Sequence, residues 1–269
     1  MEKNYRIFDA HCHIYPEKIV DKAVPATDRF YSVVSRCRGT IDDLMAENAE
    51  AGIDCSLVES VATTPKQVPS INRFIAETVA GHQGKAYGVG TLHPDCEDME
   101  KEVRYIIDLG LLGVKLHPEI QGFKVDEERC MPIYELCTEY RLPLLMHTGD
   151  KRYDCSNPDR LKPLLKRFDR LTVIGAHFGG WSIWEEAYKD LAGLPNLYVD
   201  CSSSFYSLTK PAARKVIEAY GVDRVLFGTD YPMWKPKEEL EYLLSLGFSK
   251  EDNQKMLWDN AAKVFRIKA

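Results

Sequence analysis

Eight short apolar runs rich in β-branched and aromatic residues alternate along the chain with longer segments of helical spacing, and this alternation constrains the fold more than any other feature. The runs are YRIFDAHCHI, DCSLVES, AYGVGTLHP, LGVKLHP, LPLLMHTGD, LTVIGAHFGG, NLYVDCSS and RVLFGTDYP. Between them lie amphipathic stretches such as TIDDLMAENAEAG, SINRFIAETVAGHQG and KPKEELEYLLSLG, with Gly52, Gly110, Gly221 and Gly247 just past the last apolar positions as helix stops. Strands alternating with helices must be parallel and joined by crossovers, and eight such units close most naturally into a (β/α)8 TIM barrel. An open doubly wound sheet is the alternative. With no repeat, low-complexity tract or long linker, residues 1–269 read as a single barrel domain. Residues 14–39, the longest irregular piece, read as a loop between the first strand and its helix, either a lid or a plain surface excursion. The tail SKEDNQKMLWDNAAKVFRI reads as one or two closing helices.

Composition narrows the class of partner. Hydrophobic residues make up 45% of the chain and charged ones 28%, enough apolar mass for a core and too much for disorder. The net charge of −6 is spread along the chain, so no basic stripe points to nucleic acid or an anionic membrane. No apolar stretch approaches the ~18 residues that span a bilayer, and MEKNYRIFDA lacks the layout of a signal peptide. The eight cysteines are scattered without a C-x-x-C pair, which reads as reduced thiols. These features lead to the expectation of a cytoplasmic protein with a small-molecule substrate, its homo-oligomeric state left open.

Side chains alternate across a strand, so His11 and His13 in FDAHCHI share one face and Cys12 takes the other. His117, His147, His177 and Asp230 each close an apolar run, at the end of a parallel barrel strand where active sites form. A single strand-end histidine or aspartate is more often a helix cap or a satisfied buried group. Five strands converging with such residues favour a metal centre instead. Imidazole and carboxylate together suit one divalent ion, zinc first, with manganese, iron, cobalt or nickel compatible and a second metal open. Such an ion lowers the pKa of bound water from ~16 toward ~7, and an aspartate beside it can move the proton.

D-x-H-x-H in DAHCHI, GVKLHP, the strand-terminal histidines of LLMHTGD and VIGAHFGG, LFGTDYP and the closing NAAKVF together resemble the amidohydrolase superfamily. Within it they resemble the amidohydrolase-related branch that includes aminocarboxymuconate-semialdehyde decarboxylase-like proteins. The resemblance implies His11, His13, His147 and Asp230 as metal ligands, with Asp230 and His177 as the catalytic pair. Asp9 would orient a ligand histidine or the turn. Lys115 would bring an ammonium to a substrate carboxylate or oxyanion, unless carboxylated to bridge two metals, and His117 would line the pocket or pack on Pro118. Trp181, Phe205, Tyr206 and Trp234 follow strand ends and are candidate walls for a planar substrate; Arg152 is a candidate anion contact or a solvated charge. The expected activity is hydrolysis of an amide, ester or lactone through metal-activated water. The alternative is non-oxidative decarboxylation of a small cyclic or unsaturated carboxylic acid on the same ligands. A barrel that merely binds a metal or ligand is disfavoured by Asp230, since binding alone needs no proton carrier.

Overall fold

A computed structural model describes residues 5–267; residues 1–4 and 268–269, the ends of the expected 1–269 domain, lie outside the described residues. Nine strand segments alternate with helices: β1 (Phe8–His13), β2 (Cys55–Glu59), β3 (Ala86–Gly88), β4 (Gly90–Thr91), β5 (Val114–Leu116), β6 (Leu144–Met146), β7 (Val173–Gly175), β8 (Leu197–Asp200) and β9 (Val225–Leu226). All pair in parallel, in the orders β1-β2-β3 and β4 through β9. β3 and β4 are halves of one stave broken at Val89, whose N–H still reaches Val58 O at 3.2 Å. The ring closes where Ala10 N–H donates to Phe227 O at 2.8 Å and Asp230 N–H donates to His11 O at 2.9 Å. The fold is the expected TIM barrel.

The helices are α1 (Glu17–Tyr31), α2 (Ile41–Ala51), α3 (Val68–Gly81), α4 (Met99–Asp108), α5 (Pro118–Gln121), α6 (Met131–Glu139), α7 (Pro158–Arg167), α8 (Trp184–Leu191), α9 (Lys210–Tyr220), α10 (Pro236–Leu244), α11 (Lys250–Gln254) and α12 (Asn260–Phe265). Two apolar cores follow from strand alternation. One lies between strands and helices and includes Cys12, Val58, Val114, Leu144 and Val173. The other fills the barrel with Phe8, Leu57, Leu145, Ile174 and Leu226 and takes in Trp258 and Phe265 of the closing segment, which is helical as expected. The opposite end of the barrel is left to polar side chains.

The expectation of an irregular segment over 14–39 is corrected by α1. Pro16 and the internal Pro25 mask the pattern in sequence, yet Val20 and Val24 are spaced by one helical turn and both are buried. The helix crosses the mouth of the barrel, the position a lid would take.

Candidate metal centre and cavity

β1 carries His11 and His13 to the mouth, and their Nε2 atoms lie 3.3 Å apart. Glu59 closes β2 with Oε1 3.2 Å from His11 Nε2 and 3.4 Å from His13 Nε2. Asp230, four residues past the end of β9, sets Oδ1 3.4 Å from both imidazoles. Four donors bonded at about 2.0–2.1 Å to one tetrahedral ion stand about 3.3–3.4 Å from one another. The separations among His11, His13 and Glu59, and those of Asp230 from the two imidazoles, match that spacing.

Lys115 on β5 enters the same cluster. Its Nζ is 2.9 Å from His11 Nε2 and 2.7 Å from Glu59 Oε1, although the latter contact lacks hydrogen-bond alignment and both Glu59 oxygens remain without a hydrogen bond. Asp200, at the end of β8, accepts from His11 Nδ1 at 2.9 Å and, through Oδ1, from the His177 N–H at 3.1 Å and the Ser202 hydroxyl at 2.5 Å. Gly228 permits this approach: a Cβ there would come within 3.0 Å of His11 Cβ and 3.4 Å of Asp200 Cβ. Glu59, Asp200 and Asp230 are three buried carboxylates against the one ammonium of Lys115. Carboxylate thus outnumbers ammonium in the cluster, an excess of buried negative charge that a divalent cation would balance.

The histidines divide electrostatically. Burial disfavours charge on His11, but Glu59, Asp200 and Asp230 outweigh it together with Lys115, and its pKa is raised. Burial also pushes His117 and His147 well below the usual imidazole range, with Lys115 and neighbouring histidines adding to the effect, and lowers His177 to about 4. Asp230 runs the other way. Burial would raise it, yet His11, the hydrogen bond from His13, and His177 hold it well below the usual carboxylate range, so it is ionised at neutral pH.

His147 Nδ1 meets His177 Nε2 at 3.0 Å, while its own Nε2 has no hydrogen-bond partner and faces Glu119 Oε2 at 3.8 Å. No hydrogen bond or ion pair joins His147 to the four-atom cluster, and its Nε2 is free to serve as a ligand. His117 lines the cavity and accepts from Ile120 N–H at 3.3 Å as the cap of α5. His177, Ser203 and Asp230 all have positive φ (58°, 44° and 60°), a backbone state that costs non-glycine residues energy and concentrates at functional sites. The Ser203 hydroxyl donates to Asp230 Oδ2 and accepts from Trp234 Nε1 at 2.8 Å.

Of the two roles expected for Asp9, the turn is the one it fills. Oδ1 accepts from Thr229 N–H at 3.0 Å and from the His11 backbone at 3.2 Å, and Oδ2 accepts from the Thr229 hydroxyl at 2.6 Å. Orienting a histidine ring falls to Asp200. Asp200 and Glu59 were missed in sequence; both close a predicted strand, in NLYVD and CSLVE, with the signal that singled out Asp230. Trp181, Phe205, Tyr206 and Trp234 are absent from the cavity lining. Phe205 instead stacks on Tyr242 at 4.6 Å, and Tyr206 on Trp234 at 4.9 Å.

Above the cluster lies a cavity of about 620 Å³ whose lining is largely apolar, including Ile19, Val24 and Phe30 of α1 and Ile71 and Phe74 of α3, with Arg73 and Glu77 among its polar members. Its floor holds His11, His13, Lys115, His147, His177 and Asp230. The metal-ligand, catalytic and lysine candidates named by sequence all belong to this floor and His117 also lines the cavity, whereas Asp9, Arg152 and the four aromatic candidates do not line it. No helix among the described residues is long and apolar enough to cross a membrane.

The sequence profile of the amidohydrolase family matches residues 8–267. A γ-resorcylate decarboxylase from Polaromonas is 22% identical over 318 aligned positions, covering 93% of this chain and 95% of that protein. An uncharacterized protein of Sinorhizobium fredii is 29% identical over 107 residues, a match that spans only 34% of each chain. Among solved structures, an uncharacterized TIM-barrel protein of Bordetella bronchiseptica superposes with a TM-score of 0.78 at 24% identity, over 97% of this chain and 98% of that one. A dihydroxybenzoic acid decarboxylase of Polaromonas, solved with manganese and the inhibitor 2-nitroresorcinol, gives 0.73 at 17% identity over 98% of each chain. These matches overturn the expectation of hydrolysis, because the relative aligned end to end and the manganese-bound neighbour are both decarboxylases. With its sequence matched by the family profile almost from end to end and its fold a metal-suited TIM barrel, the chain belongs to the amidohydrolase family.

Proposed function

We propose that this chain, read as a single barrel domain, is a metal-dependent non-oxidative decarboxylase of a small aromatic or unsaturated carboxylic acid. The observation that carries the proposal is the excess of buried carboxylate over ammonium among donors spaced for one ion, at the floor of an apolar-walled cavity. The end-to-end likeness to a decarboxylase supports the choice of reaction.

His11, His13 and Asp230 would hold the ion, and the fourth place would fall to Glu59, whose Oε1 lies against both imidazoles, or to His147, whose buried Nε2 has no hydrogen-bond partner. Zinc and manganese both suit imidazole and carboxylate donors; manganese is what the Polaromonas neighbour holds. The ion, when bound, supplies positive charge for a substrate carboxylate and for electron density building up on the ring as CO2 departs. Lys115 adds a second positive charge on the same side. The apolar wall from α1 and α3 takes the ring and excludes water. Asp230, ionised at rest, accepts a proton from a substrate hydroxyl and returns it to the carbon that loses CO2. The C–CO2 bond breaks, a C–H bond forms, and one proton is taken up from solvent overall. His177, neutral and held by the Ser202 carbonyl, fixes the orientation of the His147 ring at the cavity floor.

The test is to load the protein with manganese or zinc and assay hydroxybenzoates for CO2 in D2O. One deuterium at the vacated carbon for each CO2 released is expected. Water oxygen appearing in an organic product, or no CO2 from any acid of the series, would reject the reading.

A further inference from the structure

We propose that Tyr31, carried on α1, is a substrate-contacting residue whose hydroxyl donates a hydrogen bond to a negatively charged oxygen of the bound acid, and that Arg152 is the residue that positions it. The choice of ligand rests on the decarboxylase reading. The argument begins from proton positions. His117 Nδ1 accepts from the Ile120 backbone N–H, so the proton of the neutral ring is on Nε2. That Nε2 lies 2.5 Å from the Tyr31 oxygen, which is therefore the acceptor. The other group within reach of the hydroxyl is His147 Nδ1, at 3.4 Å. It is already committed. His177 Nδ1 donates to the Ser202 carbonyl at 3.0 Å, leaving His177 Nε2 bare, and His147 Nδ1–H donates to that Nε2 at 3.0 Å. The hydroxyl proton of Tyr31 is thus left without an acceptor among the described residues, in a cavity whose lining includes Tyr31 itself. An unmet donor beside a site for acids is a recognition element.

Arg152 fixes the place of that hydroxyl. Its guanidinium grips both oxygens of Asp150 (2.7–3.2 Å), donates to the Phe30 carbonyl in the last turn of α1 at 2.6 Å, and lies 5.0–5.2 Å from the rings of Phe30, Tyr31, Tyr153 and Trp181. A cation on the carbonyl end of a helix and over aromatic faces fastens α1 across the mouth. Asp150 follows His147 by three residues, so the same loop orders the floor and holds α1.

The experiment measures binding of 2-hydroxybenzoate, 2,6-dihydroxybenzoate and 2-nitroresorcinol to the metal-loaded protein by calorimetry, with metal content recorded for each variant. Tyr31→Phe keeps the ring against Trp181 and is expected to weaken binding about 10- to 100-fold without loss of metal. Arg152→Ala is expected to weaken it too, and the double variant to bind no worse than Tyr31→Phe by more than about twofold, since Arg152 acts through Tyr31. Equal affinity of Tyr31→Phe and wild type overturns the contact, and additive losses overturn the positioning role of Arg152. Failure of the wild type to bind any of the three overturns the ligand class. Tight binding sensitive to Tyr31 but without CO2 release leaves this proposal standing and removes the decarboxylase reading.

Discussion

His11 Nδ1 and Asp200 Oδ2 lie 2.9 Å apart with both side chains fully buried, so the carboxylate fixes the ring with Nε2 turned toward His13, Glu59 and Asp230. A carboxylate behind a ligand imidazole sets its tautomer and raises its basicity, and losing one typically costs 10- to 100-fold in metal affinity. Asp200→Asn is expected to bind zinc or manganese about 10- to 100-fold more weakly while the barrel remains folded. Chelator competition reads this directly, and an unchanged metal Kd would show that Asp200 serves only the backbone of His177 and Ser202.

The Glu119 side chain is fully buried; one oxygen accepts from the Ser156 hydroxyl at 2.5 Å and the other has no hydrogen bond. Burial raises its pKa to about 8, so it is protonated at neutral pH. The sign follows from linkage. The unfolded chain releases this proton near its ordinary value of 4.5, the folded one holds it to about 8, and stability is therefore lost as pH rises between the two. Glu119→Gln, neutral throughout, should gain on the wild type across that window, by at most roughly 5 kcal/mol at its upper end. Urea titrations of both proteins at pH 5 and pH 8 check it. A difference independent of pH would mean that Glu119 is ionised in the folded state.

The barrel was legible because eight strand patterns survive in sequence even where the regular strand is three residues long, as in Leu144–Met146. Apolar runs report burial on both faces, which extends past the last ladder hydrogen bond. Helix α1 was not legible, because Pro16 and Pro25 read as breakers while the burial of Val20 and Val24 depends on the distant mouth of the barrel. At the site, His11, His13, Lys115 and Asp230 were found by strand-end position and motif. Glu59 and Asp200 carry the same positional signal but sit in no histidine-rich motif, and only the register of β2 and β8 against β1 and β9 brings them to the cluster. Tyr31 had no signal at all, since its role depends on where α1 lies.

Trp258 tests whether the lower end of the barrel is independent of the upper. Its ring packs edge-on to Phe8 at 6.0 Å and under the Arg6 guanidinium at 3.7 Å, within the interior core. Trp258→Ala is expected to cost about 3–5 kcal/mol of stability. At a temperature where the variant stays folded, its metal content and catalytic rate should match the wild type, because stability and chemistry occupy opposite ends of this fold. Denaturant unfolding and metal analysis on the same sample separate the two. Loss of metal from a fully folded variant would show that the closing segment also shapes the site.

Asp230 is where metal binding and proton transfer can be pulled apart. Asparagine tolerates the positive φ of 60° at this position and keeps one oxygen to face His11 and His13, so Asp230→Asn should fold and retain much of its metal. It cannot carry a proton, and loss of a general acid/base group lowers kcat by about 100- to 10,000-fold. A control comes from stability in the metal-free protein. The folded-state pKa of Asp230 is depressed well below 3.8 by His11, His13 and His177 against the opposing effect of burial. Its ionised form therefore stabilises the fold above 3.8, and that stabilisation is lost as pH falls below it toward the folded value. Asp230→Asn should lose this part of the acid dependence and little else. A variant with wild-type kcat would place the proton carrier elsewhere, with His177 next in line through its contact with His147; a variant stripped of metal would make Asp230 a ligand first and leave its proton role to be read from the pH profile of the wild type.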